Sequence, residues 1–251
     1  MTDFAAVDTG EARDLVAMMD ATDAWPAVRA ARAWVLDQVA LDERAVVLDA
    51  GCGPGTFGAS VAGCTVDVDR SSVMLHETRR RRPDARVVLA DVTRLPVRDG
   101  CADLVRIERV LQWMRDPQRA MAELARVTAP GGWFAVTDTD WGTFTVDHPD
   151  PAAADRLARA ALTWVPHARL ARDLPSTIRA LGATDVQTHH DTAVITAWDP
   201  DDPAQHDGPP GLPLHSIAGA VGADLTSVAA RARAGEFRAE VSLVTVVARL
   251  H

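Results

Sequence analysis

The 251-residue chain contains no lysine, no asparagine and no tyrosine. These three amino acids share AT-rich codons, so their joint absence points to a GC-rich bacterial genome. It also removes lysine and tyrosine from any list of catalytic groups. Cysteine is scarce: Cys52, Cys64 and Cys101 are widely spaced, and no Cys-x-x-Cys pair exists. That argues against a disulfide framework and a cysteine zinc site, and makes a reduced, cytoplasmic setting the default expectation. No apolar run approaches the ~20 residues of a membrane span. Met1-Thr2-Asp3-Phe4 lacks the basic and apolar stretches of a secretory signal. Positive charge is in deficit, with 26 basic against 35 acidic residues and a net charge of −9. A nucleic-acid binder usually shows the opposite balance. The one basic cluster, Arg79-Arg80-Arg81-Arg82, reads as the solvated end of a helix.

What is present is a globular composition. Hydrophobic residues make up 47% and charged residues 24%, close to the ~45–50% and ~25% of average soluble domains. The length suits one α/β-sized domain with a cap or insertion.

Apolar residues at three- or four-residue steps predict a helix over 25–40. Ala45-Val46-Val47-Leu48 is a short apolar run ahead of a glycine cluster, the pattern of a buried parallel strand. A short helix to Gly63 follows. Further strands are predicted at 64–69, 86–90, 102–107 and 133–138, with Pro130-Gly131-Gly132 as a turn. Ser71 or Ser72 caps a helix that runs into the arginine cluster. A second helix runs over 116–128, with Pro117 in its first turn. Strand and helix thus alternate through the first ~140 residues, implying a parallel sheet with helices on both faces. Beyond it, 151–164 and 174–181 read as helices and 186–198 as a strand. The stretch 199–213 reads as an irregular loop, 215–234 as one or two helices and 241–248 as a last strand. No internal repeat is found.

Ligands of such sheets lie at the carboxyl ends of the strands. The acids Asp49, Asp69 and Asp91 fall at or just beyond three of those ends. Between Asp49 and the next helix lies Gly51-Cys52-Gly53-Pro54-Gly55, a turn that lets backbone approach a ligand closely. The dinucleotide fingerprint Gly-x-Gly-x-x-Gly needs its third glycine at position 56, which is threonine. A carboxylate at the strand end also sits poorly beside a pyrophosphate and suits a ligand with a cationic amino-acid part. Asp69, twenty residues after Asp49, stands where a ribose-binding carboxylate belongs.

These residues resemble the class I S-adenosylmethionine (SAM) methyltransferases, in particular the small-molecule methyltransferase-11 or UbiE-like type. The resemblance covers about residues 45–140, in order. Val47-Leu48-Asp49-Ala50-Gly51-Cys52-Gly53-Pro54-Gly55 is similar to the first motif, and Val68-Asp69-Arg70-Ser71 with Met74-Leu75 to the second. Ala90-Asp91-Val92 with Leu95-Pro96 resembles the adenine-holding stretch. Asp103-Leu104-Val105 and Val110-Leu111-Gln112-Trp113 resemble the fourth strand and its loop. Leu124-Ala125-Arg126-Val127 with Pro130-Gly131-Gly132 resembles the approach to the fifth strand.

The resemblance implies a Rossmann-like, doubly wound α/β fold. Its seven-stranded sheet is mostly parallel with an antiparallel last strand, and helical cap elements are added. One domain would span 1–251, with a helical cap in 1–44, a cofactor core in 45–140 and an acceptor-pocket region in 141–251. SAM would be the cofactor and S-adenosylhomocysteine the product. A small organic molecule would accept the methyl group, and the enzyme would be a monomer or homodimer. Asp49 and the backbone of Gly51 and Gly53 would hold the methionine end. Asp69 would hold the ribose hydroxyls, with Arg70 beside the adenine. Asp91 and the Val92 N–H would hold the adenine, and Arg106 would give a backbone contact near the methionine part. The chain departs from the pattern in its short first crossover, in Asp67 where glycine is usual, in Gln112-Trp113 for the frequent histidine pair, and in lacking a tyrosine over the cofactor.

Other candidates are weighed from position. Asp138, Asp140 and Trp141 lie at the predicted end of the fifth strand, where substrate belongs. His148 and Asp140 are the candidates for a general base, against a simple turn role for His148. His189-His190 cannot share one metal ion if they lie on a strand, because neighbours there point to opposite faces, and no metal site is expected. Two alternatives stand beside methyl transfer. One is a SAM-binding protein of the same fold catalysing another step, such as cyclisation. The other is a nicotinamide-dependent oxidoreductase.

Overall fold

The computed structural model describes residues 12–61, 63–202, 205 and 212–251. The sequence expectations for residues 1–11 and for most of 203–211 lie outside the described residues. Seven strands form one sheet in the order β3-β2-β1-β4-β5-β7-β6. They are β1 (Val46–Ala50), β2 (Cys64–Asp69), β3 (Arg86–Leu89), β4 (Ala102–Glu108), β5 (Thr128–Val146), β6 (Thr184–Ile195) and β7 (Ala239–Arg249). Strands β1 to β5 pair in parallel, and β7 runs antiparallel to both β5 and β6. The seven-stranded sheet with an antiparallel last strand is the one expected. Strand β1 lies between β2 and β4, so the chain winds away from it in both directions. That makes the carboxyl ends of β1 and β4 the switch point where ligands bind in such sheets.

The described helices are α1 (Ala12–Asp23), α2 (Pro26–Gln38), α3 (Ser72–Arg81), α4 (Pro117–Val127), α5 (Pro151–Trp164), α6 (Leu170–Ala180), α7 (Leu214–Gly219) and α8 (Thr226–Arg233). Their starts follow local chemistry. Ser71 caps α3 by accepting from the Met74 N–H, Asp116 caps α4 from Arg119, and Asp150 caps α5 from Ala152. Pro117 and Pro151 occupy first-turn positions, where no intrahelical N–H is lost. Among the described residues, no helix is long and apolar enough to cross a membrane.

Both faces of the sheet are covered. Leu48, Ala50, Val105, Ile107, Phe134 and Val136 pack on one side against Met121 and Leu124 of α4 and Leu174 and Ile178 of α6. Val47, Leu104 and Ala135 alternate to the other side, against Val35 of α2, Val39 just after it and Phe57. A third cluster joins Trp141, Phe144 and Val146 of β5 to Leu157 of α5, Ile195 of β6, Ile217 of α7 and Val241 of β7. It forms an apolar lobe on the far halves of these strands.

Four boundaries differ from the sequence expectation. The first crossover is a single 3-10 turn, Phe57–Ser60, and not an α-helix. Strand β5 starts before the expected 133 and absorbs Pro130-Gly131-Gly132. The pairing with β4 shifts register there and Gly131 has φ 74°, so the predicted turn is a bulge within the strand. The same strand runs on past Asp138 to pair with β7 as far as Val146. Helix α6 begins at Leu170 and carries Pro175 inside it, in its second turn. The stretch 215–234 holds two helices, and α1 lies within the helical cap expected over 1–44, ahead of the one helix placed there at 25–40.

Candidate functional site

The turn after β1 is built on positive φ. Gly51, Gly53 and Gly55 have φ of 70°, 54° and 76°, a region that only glycine occupies at little cost. Each also lets a neighbour approach where a Cβ would stand. Val110 Cγ2 lies 2.5 Å from that position at Gly51, Thr78 Cγ2 2.5 Å at Gly55, and Met19 Sδ 3.2 Å at Gly53. The Gly51 and Cys52 N–H groups donate to the Val68 carbonyl at 2.7 and 3.0 Å. Burial and the carboxylates of Asp49, Asp69 and Asp67 push the Cys52 thiol far above its usual range, so it is no nucleophile here.

Four of the expected cofactor residues, Asp69, Arg70, Asp91 and Val92, lie at the ends of β2 and β3. Asp69 accepts the Gly53 N–H at 3.0 Å and the Ser71 N–H at 2.9 Å. Burial raises its carboxyl despite those bonds. Asp91 accepts from the Thr93 N–H and hydroxyl at 2.8 and 2.7 Å. Burial works to raise Asp91, but those bonds and the charges of Arg70 and Arg119 hold it below the ordinary range. Arg70 also acts on Asp69, so it stands near both acids. Val92 is buried just beyond β3.

Sequence reasoning missed a buried ion network. Asp49 is 1% exposed and pairs with Arg106 Nη1 at 2.7 Å. Arg106 also pairs with Glu108 and lays its guanidinium over the Phe57 ring at 3.9 Å. Glu108 receives Arg32 at 2.7 Å and lies 3.3 Å from Arg109. Asp23 closes the set through Arg32 at 2.8 Å, Arg109 and the Thr56 hydroxyl. Burial opposes the charge on Glu108, but Arg106, Arg32 and Arg109 hold its carboxyl well below the usual range. Across the sheet, Asp67 is fully buried against Arg82 at 2.6 Å, and burial pushes it up to about 6. The short first crossover leaves this face of β1 and β4 to charged side chains. The signal in the sequence was Arg106 inside Leu104-Val105-Arg106-Ile107, since a charge in a buried strand needs a partner.

The acceptor-side candidates divide. Asp138 is fully buried and accepts the Gln112 N–H at 3.1 Å and the Thr139 N–H at 2.9 Å. Burial raises its carboxyl to about 7. Gln112 in turn accepts from the Trp141 indole at 2.5 Å. Asp138 and Trp141 therefore brace the loop after β4. Asp140 is engaged by Arg172 at 2.6 Å and by the Gly142 N–H at 2.9 Å. His148 accepts from the N–H of Asp150 in its own turn, at 2.9 Å. His167 contacts the loop after β4 instead, through the Gln112 and Met114 carbonyls at 3.1 and 2.9 Å. A cavity of about 620 Å³ opens beside this loop, lined by Arg115, Met121, Leu162, His167, Arg169 and Leu174 among others. Of the paired histidines, His189 stacks on Trp34 at 5.0 Å and lies 3.1 Å from Asp191.

The model of the methyltransferase-domain family matches residues 48–136. An uncharacterized 37.1 kDa protein of a Streptomyces fradiae transposon is 36% identical over 179 residues, 64% of this chain and 51% of that protein. A demethylmenaquinone methyltransferase of Renibacterium salmoninarum is 35% identical over 137 residues, 52% of this chain and 58% of its own length. The chain spans about half the length of these curated relatives. Among solved structures, a Haemonchus contortus phosphoethanolamine N-methyltransferase 2 in complex with S-adenosyl-L-methionine has a TM-score of 0.59 at 14% identity. That match covers 99% of this chain and 60% of the other, and it is a likeness of fold. Residues 48–136, which hold the glycine turn and the strand-end acids, are the part of this chain that is similar to the methyltransferase-domain family.

Proposed function

We propose that the chain is a SAM-dependent methyltransferase acting on a small organic molecule. The observation that carries this reading is the glycine turn set between Asp49 and Asp69. Its three positive-φ glycines make a tight turn into which Val110, Met19 and Thr78 pack, and among the described residues Asp49 keeps one buried carboxylate oxygen, Oδ2, without a partner. A buried acceptor of that kind fits the ammonium of an amino-acid end. Asp69, Asp91 and Arg70 gather where ribose and adenine would lie, so the residues present fit SAM. When bound, SAM supplies an electrophilic methyl group on a sulfonium.

The chain's own part is binding, alignment and exclusion of water. Asp49 would hold the ammonium and Asp69 the ribose hydroxyls. Asp91 and the Val92 N–H would hold the adenine. The loop after β4, braced by Asp138, Gln112 and Trp141, would separate the cofactor from the acceptor. Asp140 is held by Arg172, His148 by its own turn and His167 by the Met114 carbonyl, so each of these groups would have to exchange a protein bond to take a proton from an acceptor. The apolar lobe around Trp141, Phe144 and Trp198 suits an apolar or aromatic acceptor.

The test is a methyl-transfer assay with isotopically labelled SAM and a panel of quinols, phenols, amines and small carboxylic acids. Labelled product should form from at least one class, with one S-adenosylhomocysteine released per methyl transferred. Tight cofactor binding with no labelled product from any class would instead favour a non-methylating reaction, such as cyclisation, on the same fold.

A further inference from the structure

We propose that Arg109 is the receptor for the carboxylate of the cofactor's amino-acid end, opposite Asp49 as the receptor for its ammonium. The assignment rests on the reading that SAM binds at the glycine turn. Among the described residues of the buried ion network, two polar side-chain atoms have no partner: Asp49 Oδ2, an acceptor, and Arg109 Nε, a donor. Buried polar groups are almost always paired, so orphans of opposite kind in one network call for an explanation. Asp49 and Arg109 are joined through Arg106 and Glu108. One network therefore carries a free acceptor on an acid and a free donor on a base, the two kinds of group that a zwitterionic α-amino acid needs.

Three further observations place Arg109 at the ligand. Its φ is 56°, in the left-handed region that a residue with a long side chain seldom adopts outside functional sites. That conformation is held by its N–H donating to the Thr137 carbonyl at 2.7 Å. The next residue, Val110, packs directly against Gly51. The side-on edge of a guanidinium presents Nε and Nη2 as a fork matched to a carboxylate. On Arg109 this fork is half filled, since Nη2 meets Asp23 and Nε meets nothing. Asp23 also holds Arg32 and the Thr56 hydroxyl, so a ligand carboxylate can take the whole fork without stranding Asp23. The network balances three acids, Asp23, Asp49 and Glu108, with three arginines, Arg32, Arg106 and Arg109. A zwitterion enters it with no change in net charge.

The experiment is calorimetric binding of two ligands to the intact chain. S-Adenosylhomocysteine carries the amino-acid end, and 5′-methylthioadenosine keeps adenine and ribose but lacks both charged groups. Arg109→Met should weaken S-adenosylhomocysteine about 10- to 100-fold, the loss of a charge-assisted bond. Methylthioadenosine affinity should stay within about twofold, which also certifies the fold of the variant. Arg109→Lys, which keeps the charge without the fork, should fall between. Unchanged S-adenosylhomocysteine affinity in Arg109→Met, or an equal loss for both ligands, would overturn the role of Arg109 and leave the cofactor reading standing. Failure of the unmodified chain to bind either ligand would overturn the cofactor reading itself and this assignment with it.

Discussion

Replacing Arg106 with methionine should cost about 3–5 kcal/mol of stability, the penalty for breaking a buried pair by removing one partner. The size follows from what is left behind. Asp49 is 1% exposed, its Oδ1 is held by Arg106, and its Oδ2 has no partner. Without Arg106 a carboxylate stays buried with no cation beside it. Glu108 fares better, because Arg32 and Arg109 remain. The guanidinium over Phe57 is lost as well, worth about 0.5–2 kcal/mol. Against a total of about 5–15 kcal/mol for a typical domain, this is a large share. Urea unfolding followed by circular dichroism measures it. The double variant Asp49→Leu with Arg106→Met should recover much of the loss, since the pair is removed together. A single-variant loss below about 1 kcal/mol, the scale of an exposed pair, would mean that the network carries little of the fold.

Gly51→Ala should unfold the cofactor turn more sharply than its size suggests. Two separate costs add. An alanine at φ 70° costs about 1–2 kcal/mol from crowding of its Cβ against backbone. That Cβ would also lie 2.5 Å from Val110 Cγ2, and forcing the two apart costs about 1–3 kcal/mol more. Gly182 separates the terms. It has φ 86° and nothing within 4 Å of its Cβ position, so Gly182→Ala should show only the first cost. Val110→Ala in the Gly51→Ala background should relieve part of the second. Cofactor binding should be lost in Gly51→Ala and kept in Gly182→Ala. Equal destabilisation by the two glycine variants would mean that Val110 yields freely and that the close approach is incidental.

Most of the sheet was legible because local rules and tertiary structure agree. Asp116-Pro117 and Asp150-Pro151 announce helix starts that need only a short polar side chain and a ring that tolerates the first turn. The apolar runs at β1 and β4 end at the sheet's carboxyl edge, which placed Asp49 there without any structure. Strand β5 was cut short for a physical reason. Asp138 and Asp140 look like a strand exit, but backbone N–H groups satisfy Asp138 and Arg172 satisfies Asp140, so the strand continues between them. Pro175 concealed the first turn of α6, because a proline is more usual where a helix begins. The ion network was the least legible part. Arg106 and Asp49 are 57 residues apart, and Arg32 and Glu108 are 76 apart. No local pattern encodes such pairs, although an arginine within an apolar strand says that a partner must exist. His148 stood out by its place after the fifth strand, whereas only the tertiary fold brings His167 to the loop after β4.

The central claim is that the glycine turn and its flanking acids hold an S-adenosyl ligand. The most direct measurement is a calorimetric titration of the purified chain with S-adenosylhomocysteine, beside Asp69→Ala and a parallel titration with NADH. S-Adenosylhomocysteine cannot turn over, so the heat reports binding alone. The account predicts saturable binding to the intact chain and none of NADH, whose fingerprint lacks its third glycine at Thr56. It also predicts a loss of at least about 100-fold in Asp69→Ala, because two ribose hydroxyls lose an ionised acceptor at about 1.5–3 kcal/mol each. Binding of NADH without S-adenosylhomocysteine, or full S-adenosylhomocysteine affinity in Asp69→Ala, would contradict it.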